Sequence, residues 1–508
     1  MIRRYGPQRW TNVHRTFSTD VRDLVDIDAS TLDSKPASGF ARLRAVAADM
    51  DLLAREARAA GTTMRALGSG WALTNIAITQ GILANTKLCN GVFEVADGMF
   101  AATYPPTKRG LVVVAQCGIS IGELNVYLEV RQPTGLQRCL KTAGIGAGQT
   151  VVGAVSGNTH GSALHFGATP EFVVGIHLVT GDGKSWWLER ATQPVMNEAF
   201  VDSLGARLLR SDEVFDAALV GFGAFGAIAA MAIETDPSYQ LEFGEANGID
   251  HDRLAERLDR VAASGPELHH YEFVFDPYSR QIMEAVGLRR DNPVPTRLPS
   301  KPVWILRDDH GLAPGDGLGG VLFHLPASPS KLTRLQFEQY RERALLRNAC
   351  ATPGQLFTAT ITYLEGYSES ALAVPLVRAA EMVEVSSEVV RACRLPSISQ
   401  VRAVGVTKAT LGFTHHAPHS AVFEFAVPAD SRFREFEDAL VVALGKAGIP
   451  FAFHWSKNSG IDRERLLQSF GAKRVESWKQ ARARVFEGDR DRMRVFDNAH
   501  VVQAGLSD

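Results

Sequence analysis

The sequence predicts an α+β fold with more than one domain. Three observations carry that reading. Strand-like runs and amphipathic helical runs follow one another without a regular βαβ alternation. A clear hairpin signal, FVVGIHLVTGDGKSWWLER, places two strands about the Asp182-Gly183 turn. Beyond Pro237 the texture changes to longer polar segments, more histidine and new Pro/Gly loops, as in DNPVPTRLPSKP and GLAPGDGLGG. A chain of 508 residues has room for two or more cores.

In chain order, residues 1–40 are polar and mixed and read as an extended lead-in. FARLRAVAADMDLLAREARAA, residues 40–60, has helical spacing and ends at Gly61. Residues 64–67 read as a short strand and Gly68-Ser69-Gly70 as a tight loop. ILANTKLCNGVFEVADGMFAATYPP continues as short strands broken by Asn-Gly and Asp-Gly turns. LVVVAQCG (111–118) is a buried strand, and ISIGELNVYLEVRQ an amphipathic helix. Residues 217–233 are a buried helix turning into a buried strand, too short for a membrane span. Downstream, helical patterns appear at 331–348 and 369–394, and strand-like runs at 356–364, 398–406 and 420–428.

The net charge of -2 implies no general attraction to nucleic acid or an anionic membrane. The five cysteines are scattered and free of CxxC pairs, which argues against a disulfide framework or structural zinc and fits a reducing, cytoplasmic location. The N-terminus lacks the apolar core of a secretory signal.

The stretch at 144–162, GIGAGQTVVGAVSGNTHGS, is the most informative. It is too glycine-rich for a core strand and too apolar for a linker. Backbone that must approach something closely fits it, because successive N–H groups cradle an anion without a charged side chain. A phosphate-bearing cofactor is the functional reading, and a glycine-rich turn between strands the alternative. Other motifs fail on context. GFGAFG (221–226) has its helix before and its strand after, the reverse of a nicotinamide-type dinucleotide turn. GDGKS (181–185) lacks the first glycine of a P-loop. THHAPH (414–419) is broken by Pro418 and reads as a polar loop; no metal site is expected.

Three stretches together resemble the flavin-linked oxidases of the vanillyl-alcohol oxidase (PCMH-type FAD-binding) superfamily. RALGSGWAL (65–73) is similar to the first FAD loop, R-x-x-G-x-G-H-S. QTVVGAVSGNTHGS (149–162) is similar to the second, T-v-G-G-a-i-s-x-G-x-H-G. DAALVGFGAFGAIAAMAIE (216–234) resembles the closing segment under the adenine end. Far downstream, FHWSKNSG (453–460) and WKQARARVFEGDRDRMRVFDN (478–498) resemble the HWGK and D-x-x-x-x-F-x-N endings of sugar and aldonolactone oxidases.

The resemblance implies an FAD-binding domain of two α+β subdomains over 1–237. It also implies a substrate cap with an antiparallel sheet over 238–470, and a segment returning to the FAD domain over 471–508. FAD would lie between two loops, its diphosphate held by main-chain N–H groups. Gly68, Ser69, Gly70, Trp71 and Ala72 would line one side. Thr150, Gly153, Gly157, Asn158, Thr159, His160 and Gly161 would line the other. Gly226 and Ile228 would offer backbone near the adenine. Thr150 would be near flavin N5, and His160 would be mainly structural. The family's covalent histidine position holds Trp71, followed by Ala72, and Cys139 lies outside the second motif. FAD is therefore expected to bind non-covalently.

The resemblance also suggests the reaction, hydride transfer from a CH–OH group of a polyol, sugar or aldonolactone to flavin N5. A fixed cation near N1 would lower the barrier. Lys457 matches that cation. Arg402 matches the arginine of an E-x-R pair whose acid is Gln400 here. Glu424, on an alternating strand, would accept the proton or anchor the substrate. The electron acceptor would be O2 or another oxidant. A larger apolar or aromatic alcohol or an amine as donor, and a flavin carrier without turnover, are the alternatives.

Overall fold

The computed structural model describes residues 1–28, 39–299, 327–343, 346–358 and 367–507. Residues 1–234 build two sheets with helices between them. The first has four strands in the order Ile2–Thr11, Ser18–Ile27, Ile82–Asn85, Met64–Leu67. Its first pair is antiparallel, and the other pairings are parallel. Up to Ile27 the lead-in is thus extended, as its composition suggests, but as a paired hairpin; residues 29–38 lie outside the described residues, and residue 39 already starts a helix. Val21, Val25 and Ile27 turn inward at alternate spacing, a pattern the flanking Asp and Arg residues mask in the sequence.

The second sheet has six strands, in the order Ala206–Arg210, Ser185–Glu189, Val173–Val179, Ala227–Glu234, Val112–Gln116, Val92–Glu94. The hairpin about Asp182-Gly183 is present, with both Gly181 and Gly183 at positive φ. The helix Gly39–Ala59 touches strands of both sheets. Leu43, Val46, Met50, Leu53, Ala54 and Ala57 are its buried stripe, the 3.6-residue repeat of the sequence. The capping box of Ser120 and Glu123 starts the helix Ile121–Val126, which widens into a π-helical turn at Tyr127–Arg131.

A third, antiparallel sheet is built wholly from residues beyond Pro237. Its main path is Cys350–Ala351, Gln240–Phe243, Ile282–Arg290, Leu268–Phe275, Ser399–Gly405, His419–Pro428, Tyr367–Pro375, Ala452–Phe453. Two of its inner strands, Leu268–Phe275 and Ile282–Arg290, carry no clear signal in the sequence, because His and Glu residues interrupt their apolar alternation. The helical pattern at 369–394 is corrected. Residues Tyr367–Pro375 are a strand paired on both sides, and only Ala379–Ala392 is helical. Pairing with two neighbours there outweighs the local preference of alanine for helix. The strand-like run at 356–364 begins at the end of a short helix, Pro353–Leu356, and its later part lies outside the described residues. The helix near 331–348 is Pro329–Arg343. The Pro/Gly loop GLAPGDGLGG and the last three residues of DNPVPTRLPSKP also fall outside the described residues.

The last helix system packs back on the N-terminal half. Arg463–Val485 bends at Gly471, whose φ is 71°, and lies along Asp212–Leu219. The Trp478 indole donates to the Val220 carbonyl at 3.2 Å, and Arg482 Nε to that of Ala224 at 2.8 Å. Asn498 Nδ2 donates to the carbonyls of Asn75, Ile76 and Ile78, so one amide staples the C-terminus to the segment after the first glycine loop.

Candidate FAD and substrate site

The first glycine loop leaves the strand Met64–Leu67 and is turned by the N-terminal hairpin. The carbonyls of Gly70, Trp71 and Ala72 accept from the Val13 N–H (3.1 Å), from His14 Nε2 (3.0 Å) and from Asn12 Nδ2 (3.0 Å). With the carbonyls spent on that side, the N–H groups of Gly68, Ser69, Gly70, Trp71 and Ala72 make no hydrogen bond among the described residues. Five successive unspent donors form a cradle for an anion, which a diphosphate would fill. Arg65, just before the loop, is 2 % exposed; it donates to the Phe222 carbonyl, and its Nε and Nη2 have no partner. This bond ties the first motif to the GFGAFG turn.

The second loop meets the first directly. A β-carbon on Gly68 would overlap the Thr150 side chain. Thr150 caps the helix Val151–Ser156, its Oγ1 accepting from the Gly153 N–H at 3.3 Å. Gly157 backs onto Ser456, and Gly161 onto the Ala143 carbonyl. Asn158 has φ 58°, and its Oδ1 accepts from the Phe413 N–H at 2.9 Å while its buried Nδ2 has no partner. Thr159 Oγ1 donates to Gln149 at 3.0 Å. Ser162 Oγ donates to the carbonyls of Tyr271 and Ala403, fixing this loop on the third sheet. Gly226 (φ 128°) packs on the Val179 carbonyl, and Ile228 follows it at the head of the central strand of the six-stranded sheet. These two lie with the sheet and have no hydrogen bond to Lys457, Arg402 or Glu424.

The three residues expected at the reacting centre are brought together by the third sheet. Residues directly opposite each other, or two apart on one strand, share a face. Glu272 is opposite Arg402, Gln400 is opposite Glu424, and Glu424 is opposite Ala371, two places from Glu369. One face thus carries His270 and Glu272, then Gln400 and Arg402, then Glu424, then Glu369. Arg402 Nη1 donates to Glu424 Oε2 at 2.6 Å, and its Nε to Glu272 Oε2 at 3.3 Å. Lys457 Nζ is 2.6 Å from Glu369 and 4.0 Å from Glu424 Oε1.

The turn that carries Lys457 is pinned at both ends. The Asn458 N–H donates to the Glu369 carbonyl, and the Glu369 N–H to Asn458 Oδ1, each at 2.9 Å. The Leu73 N–H donates to the Ser456 carbonyl at 2.9 Å, and Asn458 Nδ2 to the Leu73 carbonyl at 3.2 Å. The lysine therefore sits where the first glycine loop meets the third sheet. His160 reaches the same place from the second loop. Its Nδ1 is bonded to the Gly161 carbonyl at 3.0 Å, and its Nε2 is 4.0 Å from Glu424 Oε1. His160 thus has the backbone bond expected of a structural histidine, and it also borders the charged row.

Burial alone would raise the Glu424 carboxyl. Arg402 and then Lys457 outweigh it and hold the group below the usual carboxylate range. Burial would likewise raise Glu272, but His270, Arg402 and Gln400 bring it down to about 2. Burial opposes the charge on Arg402, and Glu424 and Glu272 more than restore it, so the guanidinium stays cationic. Burial lowers the His160 imidazole to about 4 and that of His454 further, leaving both neutral. The site is a row of fixed charges beside two neutral imidazoles, suited to hydrogen-bonding hydroxyl groups.

Several members were not legible in the sequence. Glu272 and His270 lie on a strand without a clear pattern. Glu369 lies within an apparent helix. Tyr340 comes from the helix Pro329–Arg343; its buried hydroxyl has no partner, and Glu272, Arg402 and Glu424 all act on it. Cys139, the nearest cysteine to the second motif, is buried against Tyr239 and Ser238, and burial raises its thiol to about 11.

Residues 45–189 match the family model of the FAD binding domain. This segment is an FAD binding domain. It contains both glycine loops and excludes the charged row of the third sheet. The chain is 25% identical to D-arabinono-1,4-lactone oxidase of Eremothecium gossypii over 241 residues, 47% of this chain and 39% of that protein. It is 28% identical to L-gulono-1,4-lactone dehydrogenase of Mycobacterium tuberculosis over 250 residues, 48% of each. The match thus spans less than half the length of these curated relatives. Among solved structures, cholesterol oxidase from B. sterolicum superposes with a TM-score of 0.66 at 13% identity, over 99% of this chain and 97% of that one. The 6-hydroxy-D-nicotine oxidase of Arthrobacter nicotinovorans superposes at 0.55 and 13%, over 88% of each chain. Across the whole chain the fold is therefore the α+β fold that the cholesterol oxidase structure shows. Among the described residues, no helix is long and apolar enough to cross a membrane.

Proposed function

We propose that the protein is an FAD-dependent oxidoreductase that oxidises a CH–OH group of a polyol, sugar or aldonolactone. The observation that carries this reading is the convergence of Lys457, Arg402 and Glu424 on the contact between the glycine loops and the third sheet. Bound FAD would take the hydride of the donor carbon at flavin N5 and pass the electrons to O2 or another acceptor. The unspent N–H groups of Gly68 to Ala72, with Thr150, Gly153, Gly157, Asn158, Thr159, His160 and Gly161, would hold it. Gly226 and Ile228 would serve the adenine end. Trp71 stands where a histidine would attach the flavin, and Cys139 is buried against Tyr239 and Ser238, which supports non-covalent binding.

Glu424 accepts the hydrogen bond of the donor hydroxyl and then its proton. Its depressed carboxyl is a weak base. That is enough, because a hydroxyl losing hydride from its carbon becomes strongly acidic. Arg402 holds Glu424 ionised and in place, and Lys457 supplies positive charge beside it. Relatives named for aldonolactones support a small polar donor. We also read the chain as three parts, with divisions near 237 and 470, working in the cytoplasm, where the free cysteines stay reduced.

The test is to load the full chain with FAD and add alcohols anaerobically. Bleaching of the flavin by a polyol or lactone is expected; absence of bleaching with every one of them refutes the assignment. Acid precipitation should leave the flavin in the supernatant, and flavin in the pellet would refute non-covalent attachment.

A further inference from the structure

Arg402 is held on two edges and free on the third. Its Nε meets Glu272 and its Nη1 meets Glu424, while its Nη2 has no acceptor among the described residues. The side chain is 8% exposed, so that free amino group lies in a nearly closed space. Glu272 holds it from the neighbouring strand, directly opposite Arg402. The same Glu272 oxygen takes a 2.9 Å bond from Gln400 Nε2. Gln400, in turn, is directly opposite Glu424. A carboxylate at 400 would face the Glu424 carboxylate across the ladder, and like charges so placed repel. An amide there is neutral and donates to Glu272 instead.

We propose that Glu272 is the residue that positions Arg402 toward the donor, and that positions 400 and 424 are coupled, an acid at 424 requiring a neutral amide at 400. The anion that joins Glu424 in balancing Arg402 sits on the strand Leu268–Phe275 because the place two residues before the arginine is closed to it. The first half of this inference rests on the activity proposed above; the second half does not.

Two measurements test it. In the FAD-loaded full chain, Glu272→Gln should retain flavin but slow its anaerobic reduction by the donor about 10- to 100-fold, the size expected for losing a charged hydrogen-bond partner. Glu272→Asp, which keeps the charge, should recover part of that loss, whereas a role in packing alone would leave both variants alike. Reduction by Glu272→Gln at the wild-type rate would overturn the positioning role. In the FAD-free chain, Gln400→Glu should lower the melting temperature by about 2 °C or more, and Gln400→Glu with Glu424→Gln should restore it. Additive effects in that cycle would overturn the coupling. A wild-type flavin that no alcohol bleaches would count against the proposed activity alone, and the melting cycle would still decide the coupling.

Discussion

Gly68 lies against Thr150 so closely that a β-carbon at 68 would overlap both Oγ1 and Cγ2 of the threonine side chain. The contact joins the two glycine loops and sets the separation of the surfaces that would clasp a diphosphate. Gly68→Val would force them apart. Overpacking of this kind costs about 1–3 kcal/mol, or, where FAD binding bears that cost, a hold on FAD weaker by about 5- to 150-fold. FAD titration of the variant checks this. Gly244→Ala, where a β-carbon meets nothing within 4 Å, should bind FAD as wild type does. Equal affinity in Gly68→Val would show that the spacing of the loops is not set here.

Lys457 is offered to the site by a turn bonded to Glu369 and Leu73, and its ammonium is shared between Glu369 and Glu424. Lys457→Met keeps the stem of the side chain and removes the charge. FAD binding should persist, while the rate constant for anaerobic flavin reduction falls about 10²- to 10³-fold, the usual effect of removing one preorganised electrostatic partner. Normal reduction kinetics would remove Lys457 from the chemistry.

The two glycine loops were legible because close backbone approach leaves a compositional mark that no other structure needs. Gly68, Gly157 and Gly161 each stand where a β-carbon would strike a neighbour. The strand with Glu424 was legible from its alternation. Glu272 and Glu369 were not, and for one reason. A strand that lends a face to a charged row breaks the apolar pattern that would reveal it as a strand. Their roles come from cross-strand register, which pairs residue 272 with 402 and 371 with 424, and register is a property of the folded sheet.

Buried neutral histidines make the fold sensitive to acid. Burial lowers His177 to about 4, against about 6.5 in an unfolded chain. Between those values the unfolded chain binds a proton that the folded one refuses, so stability falls as pH falls. His415, His416 and His500, each at about 4, act in the same sense. Glu272, held at about 2 in the fold, adds its own loss from about pH 4.5 downward. The melting temperature should therefore be highest above pH 7 and decline steadily below 6.5. His177→Gln should flatten the decline by about 3 kcal/mol at pH 4. An unchanged slope would mean that His177 carries its proton inside the fold.

Asn158 carries the last prediction. It is fully buried with φ 58°, a conformation that Asn and Asp tolerate better than other side chains. Its Oδ1 is used by the Phe413 N–H, and its Nδ2 is left over. A buried donor without an acceptor is costly, and a cofactor bound against the second loop would supply one. Asn158→Asp keeps the backbone conformation and the bond from Phe413, but it sets an acceptor where the donor stood. If Nδ2 serves FAD, the dissociation constant should rise about 10- to 100-fold. Titration of the FAD-free variant measures it, with the melting temperature recorded alongside to separate lost affinity from lost fold. An affinity equal to wild type would turn the spare hydrogen of Asn158 away from the cofactor and leave it a purely internal feature of the second loop.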